Sequence, residues 1–302
     1  MKIDLDKLRL SGRITATARE TCKKMVRSGV RLEKVAIEAE TIIRDMGGEP
    51  AFPAQLSKNN IAAHYCSPPQ DKTEAQAEDI IKMDMGTHVD GWVTDSATTI
   101  DLRDGEGSLL VKATEMALEN AISVMKGGAS ITEIGREIEN TIKSMGFTPV
   151  YNLTGHGVAR YCIHCKPSIP NYPDTRAPSL RAGQMIACEP FACDGAGSIE
   201  ERGTAEVFML LRTPNARDLK KLPPDIADAV DKTQKLPFAR RTLLRHLGSI
   251  KKVEQALKLL HKAKLIAEFP PLIEKPGVRV AQTEHTMVIH EDHAEVLTRA
   301  PS

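Results

Sequence analysis

Asp84 and Asp95 are the first residues whose spacing could do chemistry. They lie in DIIKMDMGTHVDGWVTDSATTI, Asp79 to Ile100, which reads as a β-hairpin turning at Asp90-Gly91, a dipeptide suited to a two-residue loop. With that loop, Asp84 faces Ala97 and Gly86 faces Asp95. Residues two apart on a strand share a face. The two carboxylates therefore sit on one face at diagonal positions, roughly 7–8 Å apart at the backbone. Like charges so placed need compensation. One carboxyl keeps its proton, a cation lies between them, or nearby Lys82 or Arg103 pairs with them.

Three more residues ask for the same explanation. His156 stands in Gly155-His156-Gly157, Glu189 in the apolar run QMIACEPFAC, and Glu284 in the strand-like VRVAQTEHTMVIH. An acid inside an apolar strand is seldom buried without a partner. Taken as one set, Asp84, Asp95, His156, Glu189 and Glu284 offer four carboxylates and an imidazole. That set suits a pair of divalent first-row ions. Four anionic ligands neutralise two such ions, whereas one ion would leave negative charge buried. Paired ions stand roughly 3.5–4 Å apart and activate water. His88, His285, His290 and His293 read instead as structural. Cys162-Ile163-His164-Cys165 has C-x-x-C spacing but no second cysteine pair of zinc-ribbon spacing, and it reads as incidental.

Helices must position these strands. Ser11 is a candidate cap for a helix over 12–27, and a second helix over 31–46 ends at Gly47-Gly48. A matching pair, 107–126 and 131–145, follows the hairpin. The two pairs align at an offset of 99 residues, with Glu38/Glu137, Ile43/Ile142, Gly47/Gly146 and Pro50/Pro149 identical. Shared glycine stops with a proline beyond them indicate duplication, and so two similar α/β halves meeting at a central cleft. His64 carried forward by the same offset falls one residue before His164.

The chain has 302 residues, few aromatics, no run of membrane-span length and six cysteines. A reduced, cytoplasmic protein with no membrane partner is expected. Its net charge of +1 is unevenly spread. Residues 235–264 hold nine Lys/Arg against the single acid Glu254, a net +8 that leaves −7 elsewhere. Between Val207 and roughly Pro270 the pattern changes to short proline-bounded helices, which read as an insertion. Its basic faces could touch nucleic acid, although a solvated helix face is the preferred reading because the stripe lacks interleaved aromatics.

The order Asp84-x10-Asp95, Gly155-His156-Gly157, Glu189-Pro190, Glu284-His285-Thr286 resembles the methionine aminopeptidases across nearly the whole chain. Ala51-Phe52-Pro53, Asn59-Asn60, Ala62-Ala63-His64-Tyr65 and Ile163-His164 resemble the type II enzymes, and the short N-terminus their archaeal members. The resemblance implies an α+β pita-bread fold of two pseudo-symmetric α/β halves around a cleft. Residues 1–206 and 271–302 would form the catalytic domain and 207–270 a helical, winged-helix-like insertion. It further implies two divalent ions (Co, Mn, Fe or Zn), with Asp95 and Glu284 shared between them, Asp84 on one, and His156 and Glu189 on the other. Glu189 would shuttle a proton, and His64 and His164 would bond the substrate's carbonyl and scissile amide. Phe52, Pro53 and Ile163 would line the methionine pocket. The implied function is removal of the initiator methionine from nascent polypeptides with a small second residue, by a monomer that could meet the ribosome through its basic insertion. Thr154 departs from the Asn that eukaryotic members often carry before the Gly-His pair, which bears on the pocket rim. Two other functions stay open: a non-catalytic binding protein of the same fold docking to RNA or ribosomes, and a proline-specific metallopeptidase.

Overall fold

The computed structural model describes residues 3–300. Helices α1 (Leu5–Lys23) and α2 (Leu32–Asp45) pack on an antiparallel sheet of β1 (Glu49–Lys58), β2 (Ile80–Val89) and β3 (Trp92–Asp101). Ile14, Val35, Ile43, Leu56, Met83 and Met85 form the apolar interior of this half. Helix α1 begins earlier than the Ser11 signal predicts. Asp4 caps it by accepting from the Lys7 amide, while Ser11 is buried on the sheet side and donates to the Thr87 carbonyl at 2.9 Å. A serine hydroxyl satisfied by the sheet leaves no reason for the helix to start there.

The second half repeats the plan. Helices α3 (Leu109–Val124) and α4 (Ile131–Ser144) cover a second core built on Ile134, Ile138, Ile142, Ile186 and Met287. The five-stranded sheet beneath involves β4 (Thr154–Ala159), β5 (Cys162–Pro170), β6 (Met185–Cys188), β11 (His285–Ile289) and β12 (Ala294–Val296), in the order β12-β11-β6-β4-β5. The glycine stops after α2 and α4 are alike: Gly47 and Gly146 both take the left-handed conformation, at φ 86° and 85°. Each ends its helix where only glycine does so without strain.

QMIACEPFAC is expected as a strand carrying Glu189 and ending at Pro190, and VRVAQTEHTMVIH as a single strand, but both break sooner. Strand β6 stops at Cys188, and β7 (Phe191–Cys193) resumes in a different sheet. Likewise β10 (Val280–Gln282) and β11 flank a gap at Thr283-Glu284. Cys188 pairs with His285 and Phe191 pairs with Gln282, so one register spans both breaks and sets Glu189 opposite Glu284. At the gap the backbone turns elsewhere, and the Glu284 amide donates to the Ala97 carbonyl of β3 at 3.0 Å.

Residues 207–269 build a separate interior from Phe208, Ile226, Val230, Phe238, Leu243, Val253, Leu260 and Ile266. Strands β8 (Val207–Leu210) and β9 (Ile266–Phe269) pair antiparallel, and helices α5 (Pro224–Asp231), α6 (Arg240–Leu247) and α7 (Ile250–Lys262) complete the unit. Arg241 of α6 leaves this unit to enter the first half. Its buried guanidinium donates to Glu40 Oε1 at 2.7 Å, to the Ala54 carbonyl at 2.5 Å and to the Ser67 carbonyl at 3.1 Å. Removing one partner from a buried ion pair strands the other charge. Arg241→Met is therefore expected to destabilise the protein by about 3–5 kcal/mol, read as a lower urea midpoint with an unchanged slope.

Candidate metal centre

The hairpin positions the first two acids as the sequence predicts. Asp90 and Gly91 both take positive φ, 49° and 84°, and fix the register in which Asp84 faces Ala97 and Gly86 faces Asp95. Glycine is needed at 86 because a Cβ there would stand 2.5 Å from Phe52 Cε1 and 2.6 Å from the Thr94 carbonyl oxygen. Asp95 is held at its backbone by Thr286, whose hydroxyl donates to the Asp95 carbonyl at 2.8 Å and accepts from its amide at 2.7 Å. This exchange ties β3 to β11, so the two halves meet at the acids.

Around Asp95 the remaining members converge. His156 Nε2 lies 3.7 Å from Asp95 Oδ2 and 3.5 Å from Glu189 Oε1. Asp95, His156 and Glu284 each present a ligand atom within 4.8 Å of the others. Asp84 Oδ1, Asp95 Oδ1 and both carboxylate oxygens of Glu284 are buried without a hydrogen-bond partner. Neither cation considered as a counter-ion reaches them. Lys82 Nζ donates to the Asn59 carbonyl at 2.6 Å, and Arg103 pairs with Asp104. Buried oxygens left this way cost free energy unless a cation or protons satisfy them.

The electrostatics point the same way. Burial pushes the Asp84 carboxyl up to about 7. Burial, then the Asp84 charge, raises Asp95 well above the usual carboxylate range. Glu189 and Glu284 are raised likewise, first by burial and next by Asp95. His156 is lowered to about 3 by burial and by neighbouring His164, so its imidazole is neutral and able to bind a metal. Carboxylate donors with one neutral imidazole, short of partners and lacking a basic neighbour, fit divalent ions.

Asp84, Asp95, His156 and Glu189 floor a cavity of about 560 Å³. Phe52, His64, Ile163, His164, Val207, Met209 and Phe269 are among its walls. His64 has a left-handed backbone (φ 65°), its amide donates to Gln55 Oε1 at 2.8 Å, and its Nδ1 is buried without a partner. The His164 ring stands edge-on to His156 with centroids 4.2 Å apart. Pro53 does not line this cavity. It is buried and faces an adjoining one beside Arg44, Pro237 and Phe238, because alternate residues of a strand face opposite ways. Gln282 was not singled out from the sequence, yet its Nε2 donates to Glu189 Oε2 at 3.1 Å. Its position two before Glu284 was the available signal. Phe269 ends an element of the insertion that carries no motif, so nothing in the sequence marks it.

Residues 6–216 match metallopeptidase family M24. The methionine aminopeptidase of Archaeoglobus fulgidus is 37% identical over 97% of this chain and 98% of its own length. Among solved structures, methionine aminopeptidase from Thermotoga maritima superposes with a TM-score of 0.71 at 22% identity, covering 98% of this chain and 96% of that one. A thermophilic Arx1 superposes with a TM-score of 0.83 at 16% identity, covering 100% and 92%. At those identities the two structures speak to fold, and the fold is the α+β pita-bread arrangement of paired halves.

Proposed function

Because the chain belongs to metallopeptidase family M24, we propose that it removes the initiator methionine from the N-terminus of nascent proteins whose second residue is small. The observation that carries this reading is the set of buried, unpartnered carboxylate oxygens beside a neutral imidazole at the floor of an apolar-walled cavity. Asp84, Asp95, His156, Glu189 and Glu284 would hold two divalent ions, Co, Mn, Fe or Zn. Bound there, such ions supply Lewis acidity and lower the pKa of water.

The protein's own groups do the rest. Glu189, oriented by Gln282, takes a proton from the attacking water and returns it to the leaving amine. His64, kept neutral by burial, and His164, whose pKa is also lowered, donate hydrogen bonds to the carbonyl oxygen and the scissile amide. Phe52 and Ile163, with Phe269 from the insertion, enclose an unbranched thioether side chain. Residues 207–270 act as a subdomain whose exposed Lys251, Lys258, Lys262 and Lys264 offer a ribosome-facing surface. The protein works as a cytoplasmic monomer.

Release of methionine from Met-Ala-Ser with added Mn²⁺ or Co²⁺ tests the activity. The expected result is cleavage of Met-Ala-Ser at least tenfold faster, as kcat/KM, than of Xaa-Pro dipeptides, a discrimination of about 1.4 kcal/mol. No turnover with any divalent ion, or preference for Xaa-Pro, overturns the proposal.

A further inference from the structure

Peptide hydrolysis assigns no role to the two cysteines that bracket Ile163 and His164 on β5, although Cys165 lines the same cavity, and the fold treats these thiols unlike the other four. Cys22, Cys66, Cys188 and Cys193 are buried, whereas Cys162 and Cys165 are both partly open to solvent. In a regular strand, residues three apart point to opposite faces, separated by about 3.3 Å of rise per residue. Here β5 is bulged against β4. Ala159 pairs with Cys162 and Gly157 with Cys165, so three steps on one strand oppose two on the other. The extra residue turns both thiols to one face, opposite Ala159 and Gly157, which lie two residues apart on β4. Gly157 makes the room, since a Cβ there would stand 3.0 Å from Cys165 Sγ. His164 lies inside the bulge. Its carbonyl accepts from Cys162 Sγ at 3.3 Å, and its ring packs against His156.

We propose that Cys162 and Cys165 are a reversible modification site, closing to a disulfide that displaces His164 and stops cleavage. The oxidant is a low-molecular-weight disulfide. One cysteine thiolate attacks it, forms a mixed disulfide and expels one small thiolate. The second cysteine thiolate then attacks the protein-bound sulfur and expels the other. The two cysteine sulfurs are oxidised, the reagent is reduced to two small thiols, and the protons lost by the cysteines end on those thiols. Closing the bond draws the sulfurs together to about 2 Å and removes the S–H donor to the His164 carbonyl. The loss of activity rests on the reading of His164 as a substrate-binding group. A misplacement of about 1 Å at such a group costs on the order of a hundredfold.

The test treats the full-length, metal-loaded protein with oxidised glutathione, then reads intact mass, a non-reducing peptide map and Met-Ala-Ser cleavage. The expected results are loss of two hydrogens, a cross-link between Cys162 and Cys165, activity down roughly tenfold or more, and recovery with dithiothreitol. Cys162→Ser should keep its reduced activity and never lose two hydrogens. Thiols that stay free, a reaction that stops at the glutathione adduct, or a closed bond with full activity would each overturn the proposal. If reduced protein cleaves nothing, the bond still shows in the mass, so failure of the peptidase reading is separable from failure of the thiol pair.

Discussion

Glu284→Gln is expected to lose methionine release by roughly a thousandfold or more, the scale on which removing one preorganised charged partner is felt. The same substitution should make the metal-free protein more stable. Glu284 is 1% exposed, neither carboxylate oxygen has a partner, and burial with the charges of Asp95, Glu189 and Asp84 pushes its pKa up. A glutamine there carries no charge, and its amide can donate to a neighbouring carboxylate. A gain of about 0.5–2 kcal/mol follows, as where stability has been given up for a site. In a chain of this size that is a few degrees in Tm. Thermal melts in EDTA, run beside the peptide assay, decide the matter. A metal-free variant that melts below the wild type would show that Glu284 is a structural acid whose partner has been overlooked, and retained activity would remove it from the site.

That pairing of lost activity with gained stability explains why some of the site was legible and some was not. The hairpin could be read because its register is local. Asp90-Gly91 sets the turn, the pleat sets the face, and Asp84 and Asp95 follow. Glu189 and Glu284 were visible as acids out of place in apolar runs, but not as an opposed pair. Their juxtaposition depends on two chain segments leaving one sheet and joining another at the same level. Pro190 hinted at the first break, and no residue type marked the second. The start of α1 is hidden because Ser11 is a good cap in isolation, and only the sheet, 76 residues away, shows that its hydroxyl is already bonded. Arg241 was hidden in the basic stripe of residues 235–264, where nothing local separates a solvated cation from one aimed at Glu40, 201 residues earlier. The stripe is also less free than its charge suggests. Arg240 pairs with Glu206 and Glu254, and Lys252 with Asp225.

Loading the centre with ions should reverse the pH dependence of the acids that hold them. In the metal-free protein, burial raises the Asp84 pKa to about 7, so the folded state holds a proton that the unfolded chain releases near pH 4. A raised pKa contributes stability that is fully present below the unfolded value and is lost as pH rises through the folded one. The stability these acids contribute to the metal-free protein should therefore fall between about pH 4 and pH 7, with Asp95, Glu189 and Glu284 acting in the same sense and His64 and His156, lowered to about 4 and about 3, acting in the opposite one. Ions bind the deprotonated groups and compete with those protons. At a hundred times its Kd, each ion adds about 2.7 kcal/mol of stability, and a fixed Mn²⁺ concentration comes closer to that regime as pH rises. The difference in Tm between Mn²⁺-loaded and EDTA-treated protein should thus widen steadily from pH 5 through about pH 7, as Asp84 gives up its proton. In Asp84→Asn the metal-free slope should flatten, since the proton held at that position is gone. A metal increment that shrinks with rising pH, or that survives Asp84→Asn and Glu284→Gln together, would place the ions somewhere other than between these acids.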